Sequence, residues 1–231
     1  MKIMTFNTQH CLDYIEQKID FNTMADAIEK IDPDIVGLQE MRNKGIVEEH
    51  ADQVKILSEL TGMPYYYFAK AIDFPDGPYG NGILSKVPII SAETVLIPDP
   101  EERAYGGYYE TRCVLKATLE GGITVLVSHF GLNPDEIENA VRTVVENLKA
   151  EKCILMGDFN LKPDDPLLVP IREKMKDSAD LFDCPKLSCP SDNPDKKIDY
   201  IFASPDVKIV EADIPAIVAS DHRPHTATVI L

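Results

Sequence analysis

Short apolar runs of strand length recur along this chain with few helical patterns between them, and that spacing restricts the fold more than any other feature. The runs cover residues 2–6, 34–39, 82–84, 89–97, 112–119, 124–128, 153–156, 198–203, 207–211 and 226–231. In one of them Thr111, Cys113, Leu115, Ala117 and Leu119 share a face while Arg112, Lys116 and Thr118 take the other, as a strand's period of two requires. No helical pattern interrupts residues 82–128, so these strands are expected to pair antiparallel, which argues against a doubly wound parallel sheet. The expectation is an α/β (α+β) chain of sheets packed together, with helices outside.

Three helices are expected. One lies near residues 22–31. A second covers 46–61, with Val47, Ala51, Val54, Leu57 and Leu60 along one side and Gly62 at its exit. In the third, Asn133 caps, Pro134 takes the first helical position and Glu136 completes a capping-box pattern, ahead of an apolar stripe of Ile137, Ala140, Val141, Val144 and Leu148. No linker, repeat or low-complexity segment divides the chain, so residues 1–231 read as a single domain.

Charge bears on the partners, with nucleic acid still possible. Lys and Arg number 23 against 39 Asp and Glu, a net −16, which disfavours extended, non-specific gripping of nucleic acid. Cys113 and Cys153 sit in apolar runs and read as core. Cys184 and Cys189 lack a Cys/His pair at zinc-site spacing. No apolar signal region and no run of membrane-spanning length is present, so a cytoplasmic, reduced protein without a membrane partner is expected.

The chemistry lies where strands end. Five polar clusters fall there: Phe6-Asn7-Thr8, Leu38-Gln39-Glu40, Val127-Ser128-His129, Gly157-Asp158-Phe159-Asn160 and Ala219-Ser220-Asp221-His222. A sixth, Lys197-Ile198-Asp199-Tyr200, puts an acid in an apolar strand, a costly place unless the charge is paired or metal-bound. Asp158 and Asn160 follow the strand 153–156 at a spacing of two, which sets two oxygen-bearing side chains on one face. Hard cations and phosphoryl groups want such an array, although Asp and Asn also start turns. Strand ends converging on one rim would make a cation site with a histidine-rich lip.

The order of these motifs closely resembles the endonuclease/exonuclease/phosphatase superfamily, the deoxyribonuclease I-like phosphoesterases. The matching segments are Thr5-Phe6-Asn7, Leu38-Gln39-Glu40, Gly80-Asn81-Gly82-Ile83-Leu84-Ser85, Glu110-Thr111-Arg112, Ser128-His129-Phe130-Gly131-Leu132, Gly157-Asp158-Phe159-Asn160, Ile198-Asp199-Tyr200-Ile201-Phe202 and Ser220-Asp221-His222-Arg223-Pro224. Each is weak alone, but together they run from residue 5 to residue 224 in the family's order. The resemblance implies a four-layer sandwich, two packed mixed β-sheets flanked by helices, with the active site at one edge.

It also implies roles. Glu40 resembles the principal metal ligand, with Asn7 and Asp221 in the metal shell, and that donor set suits Mg²⁺ (or Mn²⁺). Asp158 and Asn160 resemble the pair that orients the attacking water and a phosphate oxygen. His222 with Asp199 resembles the family dyad, and His129 the second histidine, which binds a phosphoryl oxygen or protonates the leaving group. Arg112, Glu110 and Asn81 are candidates for substrate binding: Arg112 to neutralise phosphate, Glu110 to orient His129 or Arg112, and Asn81 to touch phosphate or form its turn.

The expected function is metal-dependent hydrolysis of a small phosphorylated substrate, by in-line attack of an activated water. A structure-selective DNA or RNA nuclease is the enzymatic alternative, and a non-catalytic metal- or partner-binding domain the other. Loops at 72–80, 98–109 (with Tyr105, Tyr108 and Tyr109) and 184–197 are expected to set specificity.

Overall fold

Period-two alternation becomes, in the computed structural model of this chain, two six-stranded sheets lying face to face. The structure describes residues 1–45 and 51–231. In chain order the first elements are β1 (Lys2–Asn7), β2 (Leu12–Asp13), β3 (Lys18–Ile19), α1 (Phe21–Ile31), β4 (Ile35–Arg42), α2 (Gln53–Thr61), β5 (Tyr65–Phe74) and β6 (Gly77–Ser85). There follow β7 (Ile89–Leu96), β8 (Cys113–Leu119), β9 (Ile123–His129), α3 (Pro134–Asn147) and β10 (Cys153–Asp158). The chain ends with α4 (Val169–Arg172), β11 (Lys176–Asp177), β12 (Asp199–Ala203), β13 (Lys208–Asp213) and β14 (His225–Ile230).

One sheet has the order β13-β14-β1-β4-β6-β5 and the other β11-β12-β10-β9-β8-β7. Both are mixed, because β1 runs parallel to β4 and β9 parallel to β10 while their other pairings are antiparallel. Parallel pairing sets strand ends side by side: Asn7 lies opposite Gln39, and Asp158 opposite His129. The antiparallel partner β12 begins opposite the same point, with Asp199 facing Asp158.

Three apolar layers hold this frame. Ile3, Ile35, Ile83, Val125, Val127, Met156 and Ile201 fill the space between the sheets. Helix α3 covers the outer face of the second sheet through Ile137, Ala140, Val141 and Val144, which pack with Leu126, Leu155 and Phe159. Helices α1 and α2 cover the first through Met24, Ile28, Val54 and Leu57. Each Ile, Leu or Phe so enclosed contributes roughly 1.5–3 kcal/mol by leaving water, more than a typical hydrogen bond adds. The four-layer sandwich is the one expected.

Caps match their residues. Asp20 accepts from the backbone N–H of Asn22 and Thr23 at the start of α1, and Glu136 Oε2 receives the Asn133 N–H in the capping box of α3. Helix α2 starts at Gln53 behind an Asp52 cap and leaves through Gly62 at φ 64°. Of the helix expected over 46–61, residues 46–50 lie outside the described residues, and Ala51 precedes the helix.

Two expectations change. Residues 72–80 form no loop: β5 and β6 make a hairpin in which Ile72 pairs with Tyr79 and Phe74 with Gly77. The run from Tyr65 to Phe74 is rich in aromatics, which suit a strand, and Pro75-Asp76 makes the two-residue turn with Gly77 opening the returning strand. The strands between 82 and 128 also do not form one antiparallel series. While β7, β8 and β9 do, β6 pairs with β4 and β5 in the opposite sheet. Pro88, which lacks a ladder donor, lies in the crossing between sheets. No helix among the described residues is long and apolar enough to cross a membrane.

Candidate active site

The rim is shaped by backbone that ordinary residues avoid. Gly157 has φ 152°, and a Cβ there would lie 1.8 Å from the Ser128 carbonyl oxygen, so glycine alone lets β10 lie this close to β9 ahead of Asp158. Glu40 sits at φ 61°, where the pairing of β4 with β6 shifts register between Leu38 and Met41. Asn160 is left-handed too, at φ 53°. Non-glycine residues in that region cost about 1–3 kcal/mol each, and surrounding bonds hold them there. Asn160 N–H donates to Asp158 Oδ1 at 3.0 Å, and Asn160 Nδ2 to the Phe130 carbonyl at 3.1 Å.

Asp158 is the hub. Its Oδ2 accepts a 3.1 Å bond from Asn7 Nδ2 and lies 3.6 Å from both His129 Nε2 and His222 Nε2. Asn7 Nδ2 also donates to Glu40 Oε1 at 3.0 Å within the first sheet, so this one amide joins the first sheet's rim to Asp158 on the second's. Burial pushes the Asp158 carboxyl up to about 7, raised further by Asp199 and opposed by His222 and the Asn160 N–H.

The two histidines differ in charge. His222 Nδ1 bonds Asp199 Oδ2 at 2.8 Å, which leaves Nε2 facing Asp158. Burial alone disfavours a charged ring, but Asp199 and then Asp158 outweigh it and hold the His222 pKa well above the ordinary value. His129 is the reverse. Arg112 Nη1 lies 2.7 Å from His129 Nδ1, and a guanidinium only donates, so Nδ1 carries the lone pair and the ring proton sits on Nε2. Burial, then the charges of Arg112 and His222, hold its pKa well below the ordinary value. Asn160 Nδ2 approaches His129 Nε2 to 3.3 Å. Both atoms carry protons, so they do not bond each other; an oxyanion accepting from both would satisfy them.

Glu40 and Asp221 provide the candidate cation position. Burial raises the proton affinity of Glu40, the Asn7 amide opposes this, and the Asp221 charge adds to it. Two carboxylates that repel, beside an amide, fit a hard divalent cation in donor type and charge. Asp221 is held by its neighbours: Ser191 N–H donates to its carbonyl at 2.7 Å and Ser220 Oγ to its Oδ1 at 3.0 Å. Asp158, Asp199 and His222 also present ligand atoms within 4.8 Å of one another. In that group His222 Nδ1 is already committed to Asp199, so the Glu40 side fits a cation better.

Of the residues singled out from the sequence, Asn7, Glu40, His129, Asp158, Asn160, Asp199 and His222 meet in this cluster, with Asp221 beside Glu40. Two, Arg112 and Asn81, have different surroundings from those expected, while Glu110 meets Arg112 as expected. Arg112 is buried against His129 and ion-paired to Glu110 at 3.0 Å, so its charge orients a histidine and is not open for phosphate. Glu110 in turn holds Arg112. Asn81 lies within β6, not in a turn, and its Nδ2 donates to the Cys113 carbonyl at 2.9 Å, tying the sheets together. Tyr79 is a site neighbour the sequence reading missed: it is buried below the Arg112 guanidinium, 6.0 Å from its ring centroid. The turn residues Pro75-Asp76-Gly77 after an aromatic-rich run imply a returning strand, and that is the signal that finds it.

Comparison with known proteins agrees with this geometry. The chain matches the model of the Endonuclease/Exonuclease/phosphatase family over residues 4–222. No curated protein matches it. Among solved structures it is similar to an endonuclease/exonuclease/phosphatase from Beutenbergia cavernae at 23% identity and TM-score 0.79, covering 100% of this chain and 71% of that one. It is similar to the mannosyl-6-phosphatase Bt3783 of Bacteroides thetaiotaomicron at 16% identity and TM-score 0.76, covering 100% of both. A humanized D. rerio TDP2 aligns at 19% identity and TM-score 0.71, over 100% of this chain and 99% of that one. These structures share the fold, and the match over residues 4–222 shows that the chain belongs to the endonuclease/exonuclease/phosphatase family.

Proposed function

We propose that this chain hydrolyses a phosphoester of a small phosphorylated molecule with a divalent cation, Mg²⁺ or Mn²⁺, held by Glu40, Asp221 and Asn7. The observation that carries the reading is one buried carboxylate, Asp158, bracketed at 3.6 Å by the Nε2 atoms of His129 and His222, whose surroundings push their proton affinities in opposite directions. Bound at Glu40, such a cation supplies Lewis-acid stabilisation of charge on a phosphoryl oxygen.

The chain's own groups divide the remaining work. Asp158, poised near neutral pH, accepts the proton of the attacking water as the water's oxygen bonds phosphorus in line with the leaving group. Asn160 Nδ2 and His129 Nε2–H donate to the phosphoryl oxygens, where charge grows. His129 donates without releasing its proton, because Arg112 occupies its other nitrogen. His222, the charged ring, gives its Nε2 proton to the leaving oxygen as the phosphorus–oxygen bond breaks. Asp158, 3.6 Å away, can then return a proton to it. Asp199 fixes the ring and stabilises its charge.

A small substrate, and not a nucleic acid, is supported by the net charge of −16. The cytoplasmic setting expected from the sequence is supported by five free cysteines, three of them buried. The test is a rate panel with Mg²⁺ or Mn²⁺ restored to stripped protein: sugar phosphates, inositol phosphates and small diesters against supercoiled, abasic and single-stranded nucleic acids at physiological salt. Turnover confined to the small esters is expected. Nucleic-acid cleavage faster than every small ester would replace this reading with the nuclease.

A further inference from the structure

Beside the start of β12 is a cleft of about 500 Å³, inside the range of roughly 300–1,000 Å³ usual for small-molecule sites. One wall is the loop after Asn160, the other the segments around Phe182 and Lys196. Pro163, Phe182, Pro185 and Leu187 make it largely apolar. Its charged lining residues include four cations and four carboxylates besides Lys197, and all but the half-buried Lys186 are exposed, where solvent screens them.

Lys197 is the exception. It lines the cleft yet is only 6% exposed. Its ammonium lies 3.4 Å from the centroid of the Tyr200 ring and donates to the Asp199 carbonyl at 3.2 Å, but among the described residues it has no ion pair. Asp177, then Asp199 and Asp180, attract it from farther away, with Asp177 Oδ2 committed to Arg172 at 3.2 Å and Asp199 Oδ2 to His222 at 2.8 Å. Burial lowers the Lys197 pKa to about 8, the expected response of a buried cation short of a counter-charge. A buried charge without a close counter-charge is costly, and a ligand anion would lower that cost.

We propose that this cleft is a binding site for a small organic anion, whose carboxylate or phosphate group pairs with Lys197 while an apolar or aromatic body lies against Phe182 and Leu187. The site is separate from the reaction centre, and the proposal does not depend on the phosphoesterase reading. Lys197 and His222 share one neighbour, Asp199, whose carbonyl accepts from the Lys197 ammonium.

Amide-resolved NMR titration tests it, with 1-naphthoate as the carboxylate probe and phenylphosphonate as the phosphate-like one. Saturable shifts are expected at residues 162–164, 181–187 and 196–200 with at least one probe. They should survive in His222→Ala, which disables binding at the reaction centre. The comparison of the probes identifies the preferred head group. Lys197→Met keeps the length of the chain without its charge and should weaken binding at least tenfold; Phe182→Ala, on the wall, should weaken it with Lys197 intact. No saturable shift with either probe, or equal affinity in the wild type and both variants, would overturn the proposal.

Discussion

Asp158→Asn should make this protein more stable above neutral pH while it cuts turnover. The wild-type carboxyl is raised from 3.8 to about 7, chiefly by burial. Below pH 3.8 the group is protonated whether the chain is folded or not, and it contributes nothing to the pH dependence. As pH rises, the unfolded chain loses the proton first, so the folded state loses stability progressively up to about pH 7 and stays lower above it. A gap of about three pKa units corresponds to about 4 kcal/mol at pH 8, and little more than one unit of it, about 2 kcal/mol, is expressed at pH 5. Asparagine never ionises and escapes this loss. Against that, Asp158 offers Oδ2 to Asn7 and Oδ1 to Asn160, whereas asparagine has one oxygen, and the donor left unpaired costs about 1–3 kcal/mol. The net is a gain of about 1–3 kcal/mol at pH 8 that disappears near pH 5. Denaturant unfolding of both proteins in EDTA at the two pH values measures it, beside kcat with metal restored, which should fall by at least about 10². A variant less stable than wild type at pH 8, or a gain equal at both pH values, would refute the assignment of Asp158 as a strained buried acid.

Further outcomes follow from single contacts. Arg112→Met should release the His129 tautomer, seen as a change in its ring ¹⁵N shifts, and lower kcat about 10- to 100-fold, the worth of one charge-assisted bond; Arg112→Lys should restore part of both. Glu40→Gln should raise the Mg²⁺ concentration needed for half-maximal rate at least tenfold, with unfolding in EDTA little changed; an unaltered metal requirement would remove Glu40 from the cation position. His225 is buried between Ser178 Oγ and the Asp199 carbonyl, and burial lowers its pKa to about 4. A depressed folded pKa means stability that is full above the unfolded value near 6.5 and lost as pH falls toward 4, at most about 3 kcal/mol. His225→Gln should therefore lose less stability than wild type between pH 7.5 and pH 4, and an identical acid loss would contradict it.

The rim was legible because its chemistry is local. Asp158 and Asn160 are two apart where β10 ends, Asp221 and His222 are adjacent, and most of the clusters follow an apolar run that marks a strand end, although Asp221 and His222 themselves lie in the loop ahead of β14. What the rim residues hold was not local. Nothing near Arg112 in the chain reveals that His129, across an antiparallel pair, takes its guanidinium, or that Asn81 reaches the Cys113 carbonyl in the other sheet. The missed strand β5 has a different cause. Its residues from Tyr65 to Phe74 alternate poorly in burial because an edge strand shows much of its surface to water, so periodicity was weak where propensity was strong. The buried Lys197 lies in a segment rich in charged residues, and only the fold distinguishes it from the exposed Lys196.

Hydrolysis of bis(p-nitrophenyl) phosphate by metal-stripped protein, with and without Mg²⁺ or Mn²⁺ restored, beside folded Asp158→Asn, tests the phosphoesterase assignment most directly. Turnover that appears with metal in the wild type and is at least about 10² lower in the variant is the predicted result. Folded, metal-loaded wild type that leaves both this diester and p-nitrophenyl phosphate intact would contradict it and favour a binding domain that keeps the fold without turnover.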